Sequence, residues 1–128
     1  MDKKILLVAT FLGVTAIILG AFGAHGLKKV LSVEQLATFE VGVRYQMYHA
    51  LFLLFVGTFA FLGEKERMVI FYLTIVGVLF FSGSIYFLAT NSITNLKTKF
   101  LGPVTPIGGL FLVSAWAYLF YVVLSKKQ

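Results

Sequence analysis

The sixteen charged side chains of this 128-residue chain are spread so unevenly that four long stretches carry none. Residues 5–27, 45–63, 68–96 and 100–125 are free of Asp, Glu, Lys and Arg, in runs of 23, 19, 29 and 26 residues. A helix needs about 20 mostly apolar residues to cross the hydrocarbon layer. The chain is 59% hydrophobic and 12% charged, against roughly 25% charged for a typical soluble domain. A soluble chain this short has too much surface for its volume to hide that many apolar groups; lipid removes the difficulty by being an apolar solvent. The sequence therefore predicts an all-α integral membrane protein. The expected fold is a four-transmembrane-helix bundle in one membrane domain, 1–128, with spans near 5–24, 45–62, 68–90 and 106–125.

The charges fall where helix ends are expected. Lys3–Lys4, Lys28–Lys29, Lys97 with Lys99, and Lys126–Lys127 sit between the apolar runs, where long side chains reach the headgroups. The net charge of +6 thus reads as membrane anchoring. Nucleic acid is not an expected partner, because its footprint needs a basic patch facing water. Lys3, Lys4, Lys65, Arg67, Lys126 and Lys127 would share one side, against Lys28, Lys29, Arg44, Lys97 and Lys99 on the other. That balance of six to five places both termini in the cytoplasm by the positive-inside rule. Lys3–Lys4, an apolar core and Ala21-Phe22-Gly23 also have the layout of a secretory signal. The uncharged run is long for one, and further spans follow, so the segment is read as a retained helix. The chain has no cysteine, which excludes disulfides and thiolate chemistry.

Between the first two runs, residues 25–44 are too polar to cross. Ser32 and Gln35 have capping-box spacing, which predicts a helix starting at Val33. A short interfacial helix over 33–41 is expected there. An unbroken helix from 33 to 61 would be roughly 43 Å long at 1.5 Å per residue, so a bend is expected near Gly42. Gly63-Glu64-Lys65-Glu66-Arg67 reads as a tight turn between antiparallel neighbours. Thr105 is the expected N-cap of the last helix, with Pro106 in its first turn. Small residues let helices approach closely in lipid. Gly13, Gly20, Gly23, Gly77, Gly108 and Gly109 are the expected packing positions, with Ala9, Ala16 and Ala24 in the first seam.

Polar side chains inside apolar runs are the ones that need explaining. The densest group is Arg44-Tyr45-Gln46-Met47-Tyr48-His49. Tyr45 and His49 are four apart and share a helix face, with Gln46 beside them. Imidazole can donate from one nitrogen and accept at the other, so this ladder could order water, a headgroup or a proton path. An aromatic belt at a helix end is the competing reading. His25 closes the first helix and could meet His49. Ser82, Ser84 and Tyr86 read as interhelical hydrogen bonders. Trp116, mid-helix, reads as a packing residue. The candidate binding residues are His25, Tyr45, Gln46, His49, Ser82, Tyr86 and Thr105. Two histidines with no cysteine and only Glu34 and Glu40 nearby make no metal site, and no cofactor is expected. No catalytic set is evident, and no Asp or Glu lies within a run.

Four blocks of the chain together resemble a known family. They are Gly20-Ala-Phe-Gly-Ala-His-Gly-Leu27, Tyr45-Gln-Met-Tyr-His-Ala50, Phe81-Ser-Gly-Ser-Ile-Tyr86 and Thr105-Pro-Ile-Gly-Gly109. The sequence is similar to the small bacterial membrane proteins grouped as domain of unknown function 423, or uncharacterised protein family 0382. The resemblance implies a four-helix inner-membrane protein and supplies no activity. The expected function is that of a non-enzymatic membrane component binding a lipid or a partner protein, which includes a second copy of the chain. The alternatives are a small-solute or ion conduit using His49 and Gln46, and a membrane enzyme acting on a lipid or quinone.

Overall fold

A computed structural model describes residues 2–126 of the chain. Helix α1 (Lys3–His25) is followed by a 3-10 turn (Leu27–Lys29) and by α2 (Val33–Thr58). Helix α3 (Glu64–Val78) passes through a π-helical segment (Leu79–Gly83) into α4 (Ser84–Ala89), and together they form one rod, Glu64–Ala89. A short α5 (Asn91–Thr94), a 3-10 turn (Lys99–Leu101) and α6 (Val104–Ser125) complete the described chain.

Side-chain caps set the starts. The Asp2 carboxylate accepts from the Ile5 amide at 3.3 Å. Ser32 Oγ accepts from the Gln35 amide at 3.1 Å while Gln35 Oε1 accepts from the Ser32 amide at 3.0 Å; the two satisfy each other's orphan donors, as the capping-box spacing predicts. Glu66 Oε1 closes the turn before α3 by accepting from the Gly63 amide at 2.8 Å. Asn95, at φ 58°, ends α5 in the left-handed conformation that asparagine tolerates.

Helix α1 packs along α2, and α3 packs along α6. Ile5, Leu53, Val56, Ile70 and Ala115, all fully enclosed, form the centre of the main core. A smaller cluster of Leu27, Leu31, Phe39 and Ala89 closes the opposite end. The start of α1 and the end of α6 meet the end of α2, the 59–63 turn and the first turn of α3. The Asp2 amide donates to the Gly57 carbonyl at 3.0 Å, and Lys126 Nζ donates to the Phe61 carbonyl at 2.9 Å and pairs with Glu66. The outward faces stay apolar: Phe11, Leu110, Phe120 and Leu124 are each about two-thirds or more exposed, as suits helices whose surroundings are lipid.

Two sequence expectations are corrected. The expected four spans become three helices long and apolar enough to cross a membrane, Lys3–Lys29, Glu64–Ala89 and Lys99–Ser125. Helix α2 has the length but not the composition, because Glu34, Glu40, Arg44, Gln46 and His49 all lie within it. The expected interfacial helix over 33–41, bent away at Gly42, is also absent as a separate element. Residues 33–58 form one continuous helix, and only the 3-10 turn Leu27–Lys29 stands between α1 and α2. Gly42 serves contact rather than bending. A Cβ there would lie 2.8 Å from the Tyr86 ring and 3.0 Å from Ile85, so the missing side chain lets α4 close on α2.

Candidate functional site

Polar side chains from every long helix converge on α2. Gln46 is buried and uses both ends of its amide: Nε2 donates to Thr15 Oγ1 at 2.7 Å and to the Leu12 carbonyl at 3.0 Å, and Oε1 accepts from the Tyr86 hydroxyl at 2.6 Å. One side chain therefore ties α1 to α4 through α2. Four residues along, Ser82 Oγ in the π segment donates to the Gly42 carbonyl at 2.7 Å. Ser84 Oγ bonds Thr105 Oγ1 at 2.5 Å and joins α4 to the first turn of α6.

His49 makes the link to α6. Its Nδ1 lies 2.7 Å from the Tyr45 carbonyl, and Trp116 Nε1 donates to its Nε2 at 3.1 Å. A carbonyl only accepts and an indole N–H only donates. The two partners therefore select the neutral ring with its proton on Nδ1. Aromatic contacts brace the pair: the Trp116 ring lies 4.1 Å, centroid to centroid, from Phe52, and Tyr45 lies 4.9 Å from Phe81.

Beside this link runs an open groove of about 650 Å³ between α2 and α6, within the usual range for small-molecule sites. Tyr45, His49 and Phe81 line one side; Gly109, Leu112, Val113, Trp116 and Ala117 line the other. Its walls are aromatic and aliphatic, with His49 the one imidazole, and both nitrogens of that ring already have partners. The groove opens on the outer face of the bundle, where Tyr45, Val113 and Trp116 are exposed.

The structure brings together six of the seven residues expected to bind. Tyr45, Gln46, His49, Ser82, Tyr86 and Thr105 all belong to this girdle or its groove. His25 does not: it is exposed at the end of α1 and shares no hydrogen-bond partner with His49 among the described residues. Thr105 is not the N-cap. Helix α6 begins at Val104, and the Thr105 hydroxyl is turned to Ser84. Among the expected packing glycines, Gly108 sits against backbone: a Cβ there would strike the Phe81 amide nitrogen and lie 2.6 Å from the Phe80 carbonyl carbon. Gly77 faces Leu112, whose Cγ would lie 2.8 Å and whose amide nitrogen 3.1 Å from its would-be Cβ. Gly23 lies 3.3 Å from the Phe39 ring and Gly20 3.4 Å from Val43, while Gly13 and Gly109 have only ordinary contacts. Trp116, Phe81 and Thr15 were not singled out for binding by sequence. Trp116 in particular reads as packing, because nothing in one helix shows which partner its N–H will meet. Among the described residues no three His, Cys, Asp or Glu side chains cluster as a metal site would need.

Comparison with known proteins places the chain. The family described as "Protein of unknown function (DUF423)" matches residues 19–109. The chain belongs to this family. A UPF0382 membrane protein of Haemophilus influenzae is 33% identical over 128 residues, covering 100% of this chain and 99% of its own. One from Staphylococcus haemolyticus is 42% identical over 100 residues, 78% of each chain. The family also reaches a eukaryote: a UPF0382 membrane protein of Schizosaccharomyces pombe is 37% identical over 111 residues, 86% of this chain and 92% of its own. No solved structure matches. The DUF423 match takes in the girdle residues from Gln46 to Thr105 and Gly109 of the groove, whereas Thr15 lies before it and Leu112, Val113, Trp116 and Ala117 lie beyond it.

Proposed function

We propose that this DUF423 protein is a non-enzymatic membrane component that holds the apolar chain of a membrane lipid in the groove between α2 and α6. The observation that carries the reading is the groove itself, about 650 Å³, walled by Tyr45, Phe81, Leu112, Val113 and Trp116 and open on the outer face of the bundle. Aromatic and aliphatic walls favour hydrocarbon by contact rather than by hydrogen bonding. Binding is favoured over acid–base chemistry because both His49 nitrogens are engaged and the groove lining includes no carboxylate. A conduit through Gln46 is disfavoured for a similar reason, since its amide is spent on Leu12, Thr15 and Tyr86. Asp2 and Lys126 lie at the same end of the bundle, against Gly57 and Phe61; that this end faces the cytoplasm is part of the proposal and is tested by reporter fusions at each end.

The chain has one tryptophan, and it lines the groove. Titrating the detergent-solubilised protein with a phospholipid brominated on its acyl chain reads occupancy directly. The expected result is saturable quenching of Trp116, abolished in Gly109→Leu, whose side chain would fill the groove. Quenching that rises without saturation and is the same in Gly109→Leu rejects the proposal.

A further inference from the structure

A second apolar slot lies on a different face, between the α3–α4 rod and α6. Its lower part, about 450 Å³, is lined by Leu79, Phe80, Gly83, Phe87, Val104 and Ile107. Its upper part, about 300 Å³, shares Phe87 and Leu101 with the lower and ends at Lys97 and Thr98. The two adjoin at Phe87 and Leu101, with an apolar body below and a cationic end above. From Leu79 to Phe87 the rod advances about 12 Å at 1.5 Å per residue, long enough for much of an acyl chain.

Three further observations bear on what fills it. A Cβ at Gly83 would meet nothing within 4 Å, so this glycine leaves the slot open rather than serving a helix contact, unlike Gly77 and Gly108. Lys97 is exposed, and no carboxylate among the described residues pairs with it. The strand of chain that carries it is held in place: Thr98 is buried and its hydroxyl accepts from Asn91 Nδ2 at 3.3 Å, while Gln35 Nε2 donates to Ser92 Oγ at 3.1 Å. Lys99 begins the 3-10 turn that supplies Leu101 to the slot. Both walls come from helices long and apolar enough to cross the membrane, so the molecules that surround the slot are lipids, and Lys97 puts a positive charge at its end.

We propose that this slot is a site for an anionic phospholipid, with one acyl chain lying over Gly83 and the phosphate meeting Lys97. The site is separate from the α2–α6 groove, and its test does not use Trp116. Native mass spectrometry of the detergent-solubilised full chain, titrated with phosphatidylglycerol or with phosphatidylcholine of the same chains, reads the affinity for each. One lysine near the surface corresponds to a preference of about fivefold for the anionic lipid. Lys97→Gln lies on an exposed link and should bring the two lipids to parity, chiefly by weakening phosphatidylglycerol, since in the other lipid the choline cancels the phosphate charge. Gly83→Leu should weaken both lipids by about tenfold, with helix content by circular dichroism confirming that the variant is folded. An anionic preference that survives Lys97→Gln, or binding unchanged in folded Gly83→Leu, overturns the proposal. So does equal binding of the two lipids to the unaltered protein.

Discussion

The indole N–H of Trp116 points at Nε2 of His49 across 3.1 Å, and this bond joins α6 to α2 at the edge of the groove. The other ring nitrogen is held by the Tyr45 carbonyl at 2.7 Å, so the indole meets a lone pair rather than a second N–H. Replacing Trp116 by Phe leaves that lone pair without its donor; replacing His49 by Phe leaves the donor without its acceptor. Trp116→Phe should lower stability in detergent by about 1–3 kcal/mol, because it orphans a nitrogen of the buried His49; His49→Phe should cost about 0.5–1.5 kcal/mol for the lost bond, since Trp116 is half exposed. The double variant should cost about 0.5–1.5 kcal/mol less than the sum of the singles. Simple additivity in thermal or denaturant unfolding would mean that the bond is not formed.

Gln46 carries more of the architecture than its single position suggests, since its amide reaches α1 and α4 at once. Gln46→Leu removes all three bonds and strands the Tyr86 hydroxyl, and a loss of about 1–3 kcal/mol is expected. Tyr86→Phe removes one bond from the same amide and should cost about 1 kcal/mol or less, in line with measured interhelical hydrogen bonds in membranes. Thr15→Val should resemble Tyr86→Phe. If Tyr86→Phe proved as damaging as Gln46→Leu, the amide would not be the hub of the network.

How much of this could be read from the residues alone depends on whether one helix suffices to see it. The apolar runs, the Ser32–Gln35 cap and the choice of Tyr45, Gln46 and His49 all follow from spacing within a segment; the cap forms, and three of the four runs become helices long and apolar enough to cross a membrane. The role of Gly42 does not, because a glycine beside a polar stretch reads equally as a bend or as a contact, and only the arrival of Ile85 and Tyr86 decides. The π-helical segment Leu79–Gly83 has no periodic signature; it is visible only together with Gly108, whose bare backbone lets α6 lie against it. The groove needs α2 and α6 side by side, and 60 or more residues separate Tyr45 and His49 from Gly109 to Ala117. Charge-free length alone overcounts the spans, because the run 45–63 outlasts its helix: α2 stops at Thr58, so the apolar residues 59–62 add nothing to it, and a full-length stretch of the helix must draw on the polar residues before Tyr45.

A different pair of positions separates close approach from open space. At Gly108 a Cβ would meet the backbone of Phe80 and Phe81, which cannot rotate aside. Gly108→Ala should therefore push α6 off the π segment and cost about 1–3 kcal/mol, as overpacking does. At the neighbouring Gly109 the nearest atoms are on the Phe81 ring at 3.6 Å, an ordinary contact, and Gly109→Ala should stay within about 0.5 kcal/mol of the parent. Gly83→Ala faces nothing within 4 Å and should gain about 0.5–1 kcal/mol from the lower chain entropy of alanine. Melting temperatures in one detergent at fixed concentration test the ranking Gly83→Ala above Gly109→Ala above Gly108→Ala. The decisive comparison is between the adjacent glycines: equal stability of Gly108→Ala and Gly109→Ala would show that α6 does not rest on the π segment through Gly108.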